Sequence, residues 1–196
     1  INKCLEKFNM QDSTPQPTPL PDKPQDRNYH NNFNHKNNIK DNSDNQKANN
    51  NQLFDDINLY QQLIGCLIYL ANATRPDISY AVGYLARAMT APTTADWINA
   101  KRVLRYLKGS SDLSLCYNNQ TALTGYSDSS YAEETDRKSV GGYVFVQAGA
   151  AVTWRSTKQE IIAQSSMEAE YIALAESAKE ALWIRKLQRE IFPTTK

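Results

Sequence analysis

The spacing of apolar side chains predicts helices in the first half of the chain. From Leu53 onward, apolar residues recur at helical spacing in three consecutive stretches. The second predicted helix has Thr74 as its cap and Pro76 as its first residue. The third begins at Thr93 or Thr94 and ends at Gly109. The predicted buried faces are Tyr60, Leu63, Ile64, Leu67, Ile68 and Ala71 in the first helix, Ile78, Ala81, Val82, Leu85 and Met89 in the second, and Trp97, Ala100, Leu104 and Leu107 in the third.

The pattern changes to strands between residues 122 and 158. The run ALTGYSDSSYA predicts one strand, and SVGGYVFVQAGAAVTWRST predicts two more that are joined by a glycine-containing turn. A capped helix, beginning QSSMEAEYIALAE, follows them. The predicted fold class is therefore α+β, with a helical region followed by a three-stranded antiparallel meander and one long helix.

The N-terminal part has a different composition. Ile1–Met10 has apolar residues at the spacing of a short amphipathic helix, and five prolines between Pro15 and Pro24 then prevent helix formation. Residues 28–51 are dominated by asparagine and contain almost no large apolar side chains. Such a stretch buries too little surface to offset its ordering entropy, so we predict a disordered linker there.

Composition excludes several classes of function. A net charge of +1 gives no overall field that would attract nucleic acid or a membrane. The two histidines both lie in the asparagine-rich stretch, which argues against a histidine zinc site or a Ser-His triad. The three cysteines are widely spaced and indicate free thiols of an intracellular protein. The longest apolar run, Leu63–Ala73, is too short to span a bilayer, and the sequence shows no signal peptide.

Three acidic residues are candidates for chemistry. Asp128 near the end of the first predicted strand is either a turn former or a functional carboxylate. Ser165 and Glu168 have the spacing of a capping box, which is a sufficient structural role for Glu168. We expect Glu170 to share a face with Ala173, Leu174, Ser177, Ala181 and Ile184 and to point toward the sheet. A carboxylate in that position is costly unless it is paired or holds a cation.

Several long runs resemble the Pol polyproteins of copia-type (Ty1/copia) retrotransposons. They are QLIGCLIYLANATRPDISYAV, NAKRVLRYLKGS, GYSDSSYA and QSSMEAEYIALAE, and the resemblance extends over Leu53–Phe192. It implies four regions: the end of a reverse transcriptase at 1–24, an Asn-rich linker at 25–52, a helical connection region at 53–117, and a partial ribonuclease H-like domain at 118–196. The start at Ile1 and the regions matched lead us to expect a fragment.

The resemblance also implies a reaction. In the ribonuclease H family, two Mg²⁺ ions held by carboxylates hydrolyse the RNA strand of an RNA–DNA hybrid. Asp128 and Glu170 match the first two ligands of that family. A third aspartate is expected after the glutamate helix, but the last aspartate of this sequence is Asp136. We therefore expect this chain to be inactive without the remainder of the polyprotein, and the family would place it in the cytoplasm, in virus-like particles, or in the nucleus.

Two further surfaces are predicted to bind partners. The third helix carries a basic stripe of Lys101, Arg102, Arg105 and Lys108, which is either an ordinary solvated face or, as the resemblance implies, a contact for the nucleic-acid duplex. The first strand lies mid-sheet in the family, so here its outer edge would be unpaired and could lead to self-association. The alternative function is a non-catalytic retroelement remnant or an adopted module that binds nucleic acid or protein.

Overall fold

A computed structural model describes residues 1–21, 52–132 and 136–192. The chain divides into two compact units, Ile1–Ser114 and Leu115–Lys196. The prediction of a disordered linker at 25–52 lies, except for Gln52, outside the described residues. No helix in the described ranges is long and apolar enough to cross a membrane.

The first unit is helical, as its apolar spacing predicts. Its elements are α1 (Asn2–Lys7), α2 (Ile57–Ala73), a 3₁₀ turn (Pro76–Ile78), α3 (Ser79–Ala86) and α4 (Thr94–Gly109). A capping box starts α4, because the Thr93 hydroxyl accepts from the backbone of Asp96 and the Asp96 carboxylate accepts from the backbone of Thr93.

The predicted cap of the second helix, Thr74, was wrong, whereas Pro76 does begin the next helical element. Thr74 ends α2, and its backbone N–H donates to the Leu70 carbonyl. Arg75 instead precedes the 3₁₀ turn, with φ −125° and ψ 71°. The reason is local, since a residue before proline is sterically kept out of the helical region. As a result Pro76 opens a short 3₁₀ turn, and α3 begins only at Ser79.

One hydrophobic core holds the first unit together. Most of the predicted inward faces are confirmed, but Trp97 is only half-buried and stacks on Phe54 with ring centroids 4.8 Å apart, while Val103 is fully buried on α4. Leu5 and Leu20, from the N-terminal part of the chain, belong to the same core. The other fully buried large aliphatic and aromatic side chains are Tyr60, Leu63, Ile64, Leu67, Ile78, Leu85, Leu104 and Leu107.

The second unit is the predicted meander with one long helix. It contains β1 (Thr124–Ser130), β2 (Val140–Gln147), β3 (Ala150–Lys158) and α5 (Ser166–Ile191). The strands pair antiparallel in the order β1-β2-β3. Among the described residues, β1 is therefore an edge strand of this sheet. Ala148 and Gly149 connect β2 to β3 with φ of 56° and 82°, the positive values that a tight two-residue hairpin requires.

Helix α5 packs on one face of this sheet. Its buried residues are Ala169, Ala173, Ser177 and Ile184. The helix comes close to β2 at Gly141, where an added Cβ would lie 3.2 Å from the Cβ of Ala173. Small residues at both positions therefore allow the close packing, and this contact fixes which face of the sheet is covered.

Candidate active site and basic helix

Asp128 lies inside a strand rather than in a turn. It is the fifth residue of β1, it pairs with Gly142 of β2, and its side chain is exposed. The turn-forming role considered for it therefore does not apply. An exposed carboxylate within a strand, opposite a glycine, has room to bind a ligand.

The register places Asp128 on the sheet face that α5 does not cover. Its neighbour Ser129 pairs with Gly141, and Gly141 packs against Ala173 of α5. Because successive side chains of a strand point to opposite faces, Ser129 faces α5 and Asp128 faces away from it.

The expectation that Glu170 points toward the sheet was wrong. The buried stripe of α5 begins one residue earlier, at Ala169, and Glu170, the fifth residue of the helix, is exposed. Leu174, which was expected on the same inward face, is 52% exposed. One residue along a helix is a rotation of about 100°, enough to turn a side chain from the core to the solvent. The assignment of Glu170 as a metal ligand is thus supported by the family resemblance and not by burial.

Glu168 has the capping role that its spacing predicts. The Ser165 hydroxyl accepts from the backbone N–H of Glu168 at 3.1 Å. The Glu168 carboxylate accepts from the backbone N–H of Gln164 at 2.7 Å, one residue before the capping residue. Glu168 is therefore engaged in starting α5, whereas no such bond is described for Glu170.

Gln159, which the sequence did not single out, joins the elements that carry the two candidate carboxylates. Its side-chain amide donates to the Ala169 carbonyl at 2.9 Å, and its backbone N–H donates to the Ser139 carbonyl at 2.8 Å. Ser139 in turn accepts from the backbone of Ala132, just after β1, at 3.2 Å. Gln159 is 7% exposed. A glutamine after a strand resembles a surface residue in sequence, so no local signal identified it.

Metal binding by this unit would need ligands beyond the two candidates. Within residues 1–21, 52–132 and 136–192, no group of three or more His, Cys, Asp or Glu side chains could hold a metal ion. A cavity of about 450 Å³ lies between β2, β3 and α5, on the covered face, and its lining includes Gly141, Arg155 and Gln159 but neither Asp128 nor Glu170. The carboxylates fit Mg²⁺ in chemistry, as hard oxygen donors, but not in number.

The basic residues of α4 bind the N-terminal segment, which we define as residues 1–20. Arg102 donates from Nε to the Thr18 carbonyl (3.2 Å) and from a terminal nitrogen to the Thr18 hydroxyl (2.8 Å). Arg105 donates to the Thr14 carbonyl at 2.6 Å, and Lys108 donates to the Ser13 carbonyl at 2.8 Å. All of these acceptors are neutral oxygens.

The stripe is consequently not an ordinary solvated face. All four predicted binding residues are half-buried. The fourth, Lys101, places its ammonium 5.4 Å from the centre of the Trp97 ring, a cation–π contact outside the N-terminal segment. A duplex that used Arg102, Arg105 and Lys108 would have to compete with the chain's own N-terminal segment.

Comparison with known proteins identifies one relative that matches almost the whole chain and others that match about two thirds of it. It is 35% identical over 193 residues to the retrovirus-related Pol polyprotein from transposon TNT 1-94 of Nicotiana tabacum, which is 97% of this chain and 14% of that protein. It is 42% identical over 135 residues to the retrovirus-related Pol polyprotein from transposon RE2 of Arabidopsis thaliana, covering 67% of this chain and 9% of that protein.

A shorter relative bears a different name. The chain is 41% identical over 128 residues to the secreted RxLR effector protein 161 of Plasmopara viticola, covering 64% of this chain and 90% of that protein. No protein-family profile matches the chain. No solved structure matches it either. The chain spans only a small part of the transposon polyproteins, at identities that establish common descent. It belongs to the family of retrovirus-related Pol polyproteins of copia-type transposons.

Proposed function

We propose that the unit Leu115–Lys196 is the first part of a ribonuclease H-type domain. In the intact polyprotein this domain would hydrolyse the RNA strand of an RNA–DNA hybrid during reverse transcription. Asp128 and Glu170 would be two of its metal ligands, and the remainder of the polyprotein would supply the other ligands. On this proposal the chain of 196 residues has negligible nuclease activity by itself.

The observation that supports the proposal is the order and exposure of the two carboxylates. An exposed aspartate within the first strand and an exposed glutamate near the start of α5 lie in one compact α+β unit. Within residues 1–21, 52–132 and 136–192, neither carboxylate has a hydrogen bond or an ion pair, whereas Glu168 caps α5 and Asp136 pairs with Lys158 at 2.9 Å. Carboxylates without a structural role are the ones available for a ligand.

Magnesium would supply the chemistry that these carboxylates cannot. A magnesium ion held there would activate a water molecule and offset the negative charge that develops on a phosphodiester. In the intact domain, Asp128, from the sheet face that α5 leaves open, and Glu170, from the solvent-exposed side of α5, would each supply carboxylate oxygens to a site that needs further ligands. Gln159 would keep the first turn of α5 in place relative to β3.

Cleavage of a labelled RNA–DNA hybrid in magnesium tests the proposal. The chain is compared with a version extended by the downstream Pol sequence of a relative. We expect cleavage only by the extended version, and we expect Asp128→Asn and Glu170→Gln to abolish it. Glu168→Gln is the matched control, because it removes a neighbouring carboxylate that serves the helix cap. Full activity of Asp128→Asn in the extended chain would refute the assignment.

Nucleic-acid binding by α4 is a second proposal. Arg102, Arg105 and Lys108 donate to neutral carbonyl oxygens, and these bonds do not cancel their positive charge. This remaining charge supports the proposal. Neutralising these three residues and Lys101 should weaken binding to an RNA–DNA hybrid and reduce its salt dependence, because fewer counterions are released. Unchanged affinity and an unchanged salt dependence would contradict it.

Self-association through the unpaired edge of β1 also stays a prediction.

A further inference from the structure

We propose that the N-terminal segment is a separable docking element. The rest of the helical unit would keep it bound even after the chain is cut within residues 22–51. The partner that this surface fits is a polypeptide with the chemistry of residues 1–20: a short amphipathic helix followed by an extended, proline-spaced stretch. Cleavage within residues 22–51 would then leave the N-terminal segment bound to α4. This inference does not depend on the proposed nuclease function.

The polar contacts form an ordered series along α4. Residues 102, 105 and 108 of the helix donate to residues 18, 14 and 13 of the segment, so the segment runs antiparallel to the helix. The backbone N–H of Gln16 also donates to the Arg105 carbonyl at 3.3 Å. Extended stretches rich in proline leave their carbonyls without internal partners, so these oxygens are available to the cations.

The apolar contacts anchor the segment on both sides of the polar series. Leu5 is 5% exposed and Leu20 is 8% exposed, and both lie in the core shared with α2, α3 and α4. Further apolar residues of the segment pack against this core: Ile1, Cys4, Phe8 and Met10. Burial of several large side chains by a short segment is the kind of contact that sustains association between separate chains.

A close approach gives the surface its specificity. An added Cβ at Gly109, the last residue of α4, would lie 2.9 Å from the Cβ of Pro15. Only a residue without a side chain therefore accommodates the segment at this point. The contact offers a way to displace the segment without altering the core.

The test uses the full chain with a site-specific protease site inserted within residues 22–51. The folded protein is cleaved and then examined by gel filtration at micromolar concentration, with mass spectrometry of the fractions. We expect both fragments to elute together. We also expect excess synthetic peptide of residues 1–21 to exchange with the cleaved segment, which allows its affinity to be measured by competition.

Variants separate specific docking from non-specific adhesion. Gly109→Val, and Arg102→Met combined with Arg105→Met and Lys108→Met, should each weaken the affinity of the peptide at least about tenfold, since hydrogen bonds to charged donors are lost or blocked. Lys101→Met is the matched control, because its ammonium contacts Trp97, and it should leave the affinity unchanged.

Two results would overturn the proposal. One is separation of the fragments after cleavage, whether or not circular dichroism shows that the larger fragment keeps its helices. The other is co-elution with equal affinity for all variants, which would mean that the segment adheres without the described contacts.

Discussion

Arg75→Met should destabilise the unit Ile1–Ser114 by about 3 kcal/mol. The Arg75 side chain is 3% exposed, and its guanidinium donates to both carboxylate oxygens of Asp77, at 2.9 and 2.7 Å. It also donates to the backbone carbonyl of Ser110 at 2.9 Å and to the Ser110 hydroxyl at 2.6 Å. These bonds join the start of the 3₁₀ turn to the end of α4. Methionine keeps much of the side-chain volume but removes every donor.

The magnitude follows from what the substitution leaves behind. Removing one member of a buried ion pair costs about 3–5 kcal/mol, because the other charge stays buried without a partner. The Asp77 side chain is 31% exposed and keeps a hydrogen bond from the Tyr106 hydroxyl at 2.8 Å. Partial hydration therefore places the cost at the lower end of this range. Adding Asp77→Asn to Arg75→Met should recover part of the loss, since it removes the unpaired charge.

Urea unfolding followed by tryptophan fluorescence measures this cost. Trp97 lies in the helical unit, whereas Trp154 and Trp183 lie in the other unit, so replacing those two by phenylalanine makes the signal specific. A decrease in the free energy of unfolding of less than about 1 kcal/mol would refute the reasoning, because exposed ion pairs contribute no more than that.

The same network predicts a pH dependence. Burial of the Asp77 carboxyl group tends to raise its pKa, but hydrogen bonds from Arg75 and Tyr106 outweigh burial, so the pKa of Asp77 is lowered in the folded protein. A lowered carboxyl pKa contributes stability above the unfolded value of about 3.9, and this contribution is lost as the pH falls through the folded pKa. The free energy of unfolding should therefore fall below about pH 4, and less steeply in Arg75→Met.

Three further changes test the packing, a thiol and a helix cap. Gly141→Ala should lower the stability of the second unit by about 1 kcal/mol in urea unfolding, since its Cβ would crowd Ala173. Iodoacetamide should alkylate Cys116 faster than Cys4 by mass spectrometry, because Cys116 is exposed and burial raises the pKa of the Cys4 thiol. Ser165→Ala should cost about 1 kcal/mol in urea unfolding through loss of the α5 cap.

Matched controls accompany these changes. Gly65→Ala, where nothing lies within 4 Å of an added Cβ, should be neutral or stabilise α2, and a loss equal to that of Gly141→Ala would contradict the packing argument. In the protein unfolded by urea, Cys116 and Cys4 should react with iodoacetamide at similar rates. A difference that persists in urea would show that burial is not its cause. Ser166→Ala removes a neighbouring hydroxyl and should cost less than Ser165→Ala.

Local patterns were sufficient to predict the elements. The positions of α2, α4, α5 and the three strands follow from apolar periodicity, turn residues and caps, all of which act within a few residues. The cap at Ser165 with Glu168 was predicted for the same reason. The capping residue of the second helix was missed because the restriction that Pro76 imposes on Arg75 outweighs the capping preference of Thr74.

The sequence by itself determined the fold class, the family and the identity of the candidate carboxylates, because each is written in residue types and short spacings. Only the tertiary structure decided how these residues are used. Docking of α5 on Gly141 turned Ala169 inward and Glu170 outward. The basic residues of α4 found acceptors between 84 and 95 positions away in the chain. Contacts over such separations depend on how the elements pack, which no local pattern records.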